Sequence, residues 1–425
     1  MLHIKKLLLF ILIGTTLKVA SQKDISANIS KEKNYTLKEC IDFALKNNEN
    51  IKTANLNIDY MRQFKKASTE IPKTSIVYTQ GQFNSIYKYD NNFTISQAIP
   101  NPLVFTSHNS LAKAQIKSSE FKFDATKVDL IYQVKVSYYS LIYSNAVHDV
   151  LLKEDSIYED FARAVSKKYL SGEATLLEKT TAETQVFETK NEVTESEEDI
   201  NSFQIQLQTL MHINADVDAA SKDFDNNYLS ITAVDTTNIS EHPLLKYLNQ
   251  QIEVNKKTKS LESAKIMPDF MGGYFNQSIY GPANIFGPGQ DYFLTTADRL
   301  QGFIVGVSVP LWFYPQKSKI KAAEINTKLA ESDYNYNVSM LEGQYKQAVT
   351  MYLKYRNSLT YYKTNVLSNL DLIVDQAIKS YNSKDISYID YLQVVSRALN
   401  IKRNYLNVIH QNNLYVLKLE YLLSK

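Results

Sequence analysis

The sequence predicts a mainly α protein with a smaller membrane-type β part, in which two tandem halves each supply a pair of short strands and a pair of very long helices. Three observations carry that expectation. Segments of about ten residues alternate between apolar and small or polar side chains; apolar stripes at helical spacing mark helices of roughly sixty residues; and both features recur about 210 residues further on.

Alternation marks residues 74–84, 92–100, 270–280 and 302–311 as strands. Phe93 and Ile95, and later Phe303, Val305, Val307 and Val309, fall on one face, with Thr94, Ser96, Gly306 and Ser308 on the other. Apolar outside and small or polar inside, at this length, is the pattern of an outer-membrane strand. Tyr87, Tyr89, Tyr280 and the run Trp312, Phe313, Tyr314 lie near the strand ends, where rings anchor at a membrane interface.

The first long stripe runs from Phe121 through Val128, Tyr132, Val136, Tyr139, Tyr143, Val147 and Val150 in steps of three or four. The second runs through Met351, Tyr355, Leu359, Tyr362, Val366, Leu370, Val374 and Tyr381. Polar breaks at Ser171-Gly172 and at 382–385 turn each helix back into another, so each half ends in a helical hairpin. Matching segments fix the repeat: 67–72 with 263–268, 95–100 with 305–310, and 169–172 with 381–384. The expected organisation is a first repeat over 35–213, a linker over 214–240 and a second repeat over 241–424.

Lys5 and Lys6, an apolar run at 7–13 and the small residues Val19-Ala20-Ser21 read as a signal peptide over 1–21. Its removal takes away three lysines and no acid, leaving 44 bases against 45 acids, a balance that points to no nucleic-acid partner. Cys40 is the sole cysteine and lies in a helical pattern, as a small buried hydrophobe would. The six His are scattered, and no HExxH, GxSxG or phosphate-binding fingerprint occurs, so neither catalysis nor a cofactor is expected. Met211-His212 is the one soft-ligand pair, and its apolar neighbours favour a helix-end role over a metal site. The seven acids within 183–199 read as a solvated helix face.

Strands inside a membrane need every backbone N–H and C=O paired, which only a closed barrel allows. Four strands cannot close one, and about eight is the smallest closed outer-membrane barrel. The chain is therefore expected to assemble with copies of itself.

Residues 35–48, the segment Gly306-Val307-Ser308-Val309-Pro310-Leu311 and residues 381–392 resemble the TolC-like outer membrane efflux protein family, in the family's order and over essentially the whole mature chain. The resemblance implies a homotrimer whose strands form one twelve-stranded barrel in outer-membrane lipid, above a periplasmic α-barrel of helical hairpins. It implies an equatorial region around that tunnel, formed here by the linker and the helices at 36–66 and 242–263. The implied activity is passive conduction, as the exit duct of a tripartite efflux pump or type I secretion system, with a periplasmic adaptor and an inner-membrane pump of RND or ABC type as partners. The family's constriction at the tunnel tip maps onto Tyr381 and Asp390, while Ile386 stands in place of its arginine and Gln393 in place of its second aspartate. Asp371, Asp375 and Asp385 lie close by as substitutes. If Asp390 lines the lumen, a ring of carboxylates favours cations there. The rival reading is a periplasmic adaptor or coiled-coil scaffold, which shares the export and the hairpins but requires neither duplication nor amphipathic strands.

Overall fold

The computed structural model describes residues 33–82, 85–220, 224, 229–230, 236–283 and 292–424. The signal peptide expected over 1–21, the end of the first expected strand and parts of the linker and of the loop before 292 lie outside the described residues. The first half runs β1 (Lys33–Tyr35), α1 (Leu37–Asn47), α2 (Glu49–Lys66), β2 (Ser75–Gln80), β3 (Asn91–Ile99), α3 (Pro102–Leu170), α4 (Leu176–Met211) and β4 (Val217–Ala219). The second runs α5 (Pro243–Ala264), β5 (Asp269–Ser278), β6 (Gly281–Ala283), β7 (Tyr292–Leu294), β8 (Arg299–Ser308), α6 (Phe313–Tyr361), a π turn (Tyr362–Val366), α7 (Leu367–Asn382) and α8 (Tyr388–Leu423).

Four strands form one antiparallel sheet in the order β2-β3-β5-β8. The register places Ile76, Ile95, Tyr274 and Phe303 in one row across it, and Phe303 and Val305 are 86% and 89% exposed, so the apolar face has no cover within the chain. On the opposite face the Phe275 ring lies over Gly302, where an added Cβ would stand 2.7 Å from the ring. β8 begins at Arg299, three residues earlier than its pattern suggested, because the ladder with β5 continues to the pair Arg299–Ser278. The small β6–β7 hairpin extends the loop end, where Tyr87, Tyr280 and Phe293 pack edge to face with centroids 5.3–6.2 Å apart and Tyr89 meets Tyr280 at a tilt, 4.9 Å away. Trp312, Phe313 and Tyr314 occupy the other end, at the start of α6, all exposed. The sheet thus carries an aromatic belt at each rim, the arrangement of a membrane-spanning barrel segment.

Each strand continues into a helix, and the lateral order of the sheet persists below it as α2, α3, α5, α6: α2 and α5 pack on α3, and α5 packs on α6. Pro102 opens α3 with an Asn101 cap, the first-turn chemistry a long helix needs. Its 69 residues reach roughly 100 Å. The helices at 36–66 and 242–263 therefore do not lie in an equatorial belt as a group. Asn57 and Arg62 of α2 bond Ser119 and Glu120, and Gln250 and Gln251 of α5 bond Ala114 and Ser118, all early in α3 and close to the sheet. Among the described residues, α1 and the parallel β1–β4 pair form the belt, since their apolar side chains (Tyr35, Cys40, Ala44, Val217, Ala219) find cover there against Leu130, Val134, Leu141, Leu207 and Ile409. Burying each of the Val, Leu and Ile side chains among these stabilises the fold by about 1.5–3 kcal/mol.

Further from the sheet the order becomes α4, α3, α8, α7, with α4 and α8 on either side of α3 and α7 against α8. The joints repeat. Where α4 ends against the start of α2, His212 adopts a left-handed cap with φ 51°, and the Asn48 amide, whose side chain also caps α2, donates to the Leu210 carbonyl. Where α8 ends, Ser424 takes the same conformation at φ 55°, and Tyr421 packs on His242, the cap of α5. His212 is thus a helix end, as its neighbours suggested, and no group of His, Cys, Asp and Glu able to hold a metal occurs among the described residues.

The second long rod differs from α3 in one respect. From 313 to 382, α6, the π turn and α7 together take 70 residues where α3 takes 69. A π turn absorbs one extra residue in a helix without breaking it.

Burial holds His242 and His410 well below the ordinary imidazole value, at about 4 each, with Lys418 adding to the effect at His242. Unfolding restores the usual value near 6.5, so the unfolded chain takes up protons that the folded chain refuses. Stability is expected to fall as pH drops from about 6.5 to 4 and to level off below. Each residue contributes up to about 3 kcal/mol to that fall. Denaturant titrations at both ends of this range check it, with His410→Gln flattening part of the slope.

Candidate functional site: the hairpin tips

The two hairpins end side by side, at the far end of the rods from the sheet. Both turns are built alike. In the first, the N–H groups of Ser171, Gly172 and Glu173 donate to the carbonyls of Lys167, Tyr169 and Lys168; in the second, those of Ser383, Lys384 and Asp385 donate to Lys379, Tyr381 and Ser380. Gly172 has φ 80° and Lys384 φ 67°, the left-handed residue that closes a helix. Each following helix opens with a capping box, Thr175 with Glu178 for α4 and Ser387 with Asp390 for α8.

This places Asp390 chemically. Its carboxylate accepts from the Ser387 hydroxyl at 2.6 Å and from the Ser387 N–H at 3.2 Å, on an exposed first turn where negative charge also favours the helix dipole. Asp390 is the counterpart of Glu178, and its capping duty holds whatever else the side chain faces. Replacing Ser387 with Ala is expected to cost about 1 kcal/mol of local stability and to speed amide hydrogen exchange in the first turn of α8.

Tyr381 is half-buried. Its ring stacks on Tyr391 at 5.1 Å, meets Tyr388 at 6.0 Å, and has the Lys168 ammonium of α3 at 5.7 Å from its centroid. Tyr388 packs on Phe161 of α3. Aromatic packing and a cation over a ring therefore join the second hairpin to the first at the position where Ile386 offers no charge. Asp385 is exposed and accepts from the Ser383 hydroxyl, and Asp375 is exposed on α7; the side chain of Asp371 lies outside what the structure describes. Gln393 does not join these groups; it lines a cavity of about 740 Å3 between α4 and α8, with Tyr158 of α3, Leu177, Ala182 and Leu392 among its neighbours. Sequence reasoning missed Lys168, Phe161, Tyr388 and Tyr391, although the boxes Thr-x-x-Glu at 175–178 and Ser-x-x-Asp at 387–390 are legible in the sequence.

Residues 41–211 match the family model described as outer membrane efflux protein. A comparison with curated proteins finds no significant match. Among solved structures the chain is similar to a membrane protein from Pseudomonas aeruginosa, with TM-score 0.75 and 14% identity over 91% of this chain and 92% of that one. It is similar to the CmeC outer membrane channel of Campylobacter jejuni, with TM-score 0.71 and 14% identity over 91% of this chain and 85% of that one. The outer membrane protein VceC of Vibrio cholerae gives TM-score 0.70 and 14% identity over 91% and 95%. At such low identity these structures establish a shared fold, four strands above long paired helices, while the family match covers the stretch that contains the first strand pair and the first hairpin. Together they show the fold of the outer membrane channels over nearly the whole chain and, over residues 41–211, a match to the outer membrane efflux protein family.

Proposed function

We propose that three copies of this chain form a channel-tunnel through the outer membrane, which passively conducts substrates out of the cell as the exit duct of an efflux pump or secretion system. The observation that carries the reading is a pair of matched open edges. β2 and β8 each have one paired side, and the lateral order of the helices ends in the same way at α2 and α6. Leu56, Tyr60 and Phe64 form an exposed stripe on α2, and Ile325, Leu329 and Tyr336 one on α6. A ring of copies joins β8 to β2 and the α6 stripe to the α2 stripe of the next chain, so no strand edge is left in lipid. Three chains give twelve strands, a barrel wide enough for a water-filled lumen. The sheet with its uncovered apolar face disfavours the adaptor reading.

The constriction in this proposal is the tip: Tyr381 with its aromatic neighbours, and Asp390 and Asp385 around the start of α8, with Gln393 set apart in the groove between α4 and α8. A periplasmic adaptor, joined to an inner-membrane pump, lays a helix in the groove between α4 and α8, which is lined by Leu177, Ala182, Ile389 and Leu392 together with Glu178. Leu177 is 75% exposed in that groove, so Leu177→Asp should leave assembly intact and abolish co-purification of the adaptor. Fractionation tests the reading as a whole: recovery as a heat-sensitive trimer in the outer membrane supports it, and recovery as a soluble periplasmic monomer overturns it.

A further inference from the structure

Positive charge gathers at one end of the sheet. The segments that join the sheet to α2, α5 and α6, residues 65–74, 262–269 and 312–321, hold seven lysines and three acids. The loops at the other end, 81–90 and 279–298, hold one lysine and three acids. Two of the acids at the lysine-rich end are already engaged. Glu262 accepts from Lys265 and from the Gln316 amide, and the Asp269 carboxylate accepts from the Asn101 N–H.

Most of these lysines stand on the elements that end the sheet and the helix row. Lys65 and Lys66 close α2, Lys73 precedes β2, and Lys317, Lys319 and Lys321 lie in the first turns of α6. All are exposed except Lys65, which is half-buried. Lys321 bonds Glu324, a carboxylate also met by Lys259 and Lys328, whereas Lys66, Lys73 and Lys317 form no ion pair among the described residues. The aromatic rim sets their depth. Lys317 follows Phe313 by one helical turn, about 6 Å, so its ammonium stands where lipid phosphates border interfacial rings such as Trp312 and Tyr314.

In the ring, β8 and α6 of one copy lie beside β2 and α2 of the next, so segments 65–74 and 312–321 meet at each seam. They bring six lysines together with one acid, Glu70. Like charges set against each other across an interface oppose association. Such a set favours contact between copies only with an anion lying between them, and lysines clustered at headgroup depth are the chemistry that recognises anionic lipid.

We propose that each seam between copies is a binding site for an anionic phospholipid of the periplasmic leaflet, whose phosphates lie among Lys66, Lys73, Lys317 and Lys321 and tie neighbouring chains together. The inference rests on the ring reading above. The acyl chains run along the uncovered apolar face of the sheet, where Ile76 of β2 and Val307 of β8 are both exposed. A lipid with two phosphates, such as cardiolipin, reaches the lysines of both copies at once and is favoured over lipids with one.

Heat dissociation of the delipidated, detergent-solubilised trimer tests this, with cardiolipin, phosphatidylethanolamine or inorganic phosphate added at equal phosphate concentration. Cardiolipin is expected to raise the midpoint of dissociation by several degrees, and the other two to leave it unchanged. The triple variant Lys66→Ser, Lys73→Ser, Lys317→Ser is expected to lose the cardiolipin shift. Its delipidated trimer should dissociate no earlier than the wild type, because the repulsion leaves with the lysines. A full cardiolipin shift in the assembled variant overturns the site, and an equal shift with phosphatidylethanolamine or inorganic phosphate overturns the assignment to anionic lipid. Should the triple variant fail to assemble, Lys317→Gln decides: the side chain is exposed and unpaired, so folding tolerates the change, and an undiminished shift likewise overturns the site. A wild-type protein that yields no oligomer overturns the ring reading itself, before any lipid is added.

Discussion

Replacing Val305 with Arg is expected to abolish the outer-membrane assembly. Val305 stands near the middle of β8 with 89% of its surface exposed, on the face shared by Ile95, Tyr274 and Phe303. A cation on the lipid face of a membrane strand costs about 2–4 kcal/mol at the midplane. In the proposed trimer three copies would place three such charges in one barrel, a total that exceeds half of the stability of many domains. The expected result is loss of the heat-sensitive oligomer from outer-membrane fractions, with the chain recovered as periplasmic aggregate or degraded. The same exchange at Thr94, on the opposite face, should be tolerated. If Val305→Arg assembled normally, the exposed face would not be in lipid.

The second large effect is expected at the helical edges. Leu56 and Tyr60 are 67% and 59% exposed in the single chain, so the pair Leu56→Asp and Tyr60→Asp removes little from its own fold. In the proposed ring these side chains would meet the α6 stripe of a neighbour, where buried aromatic anchors contribute about 2 kcal/mol or more each. Two aspartates at each of three interfaces should shift detergent-solubilised protein from trimer to monomer while helical content, read by circular dichroism, stays unchanged. A trimer that survived the pair would place the interface elsewhere.

How much of this was legible in the sequence depended on whether the signal was local. The strands were, because Phe303, Val305, Val307 and Val309 alternate without interruption, and the hairpin breaks were, because Ser171-Gly172 and 382–385 interrupt a long stripe. The start of β8 was not, since its end is fixed by the partner Ser278 rather than by its own pattern. The short helices α2 and α5 look alike in composition to belt helices. Their placement against early α3 depends on pairs such as Gln250 with the Ala114 carbonyl, which periodicity does not encode. At the tip, Asp390 drew notice as an acid, whereas the nearer signal was its spacing from Ser387, which makes it a cap.

The central claim is that one chain supplies a third of a closed tube. Native mass spectrometry of the detergent-solubilised outer-membrane particle counts the chains directly. The account predicts three, giving twelve strands and no open edge. A particle of one chain, whose β2 and β8 edges would stand unpaired in lipid, or of two chains closing an eight-stranded barrel, would contradict it.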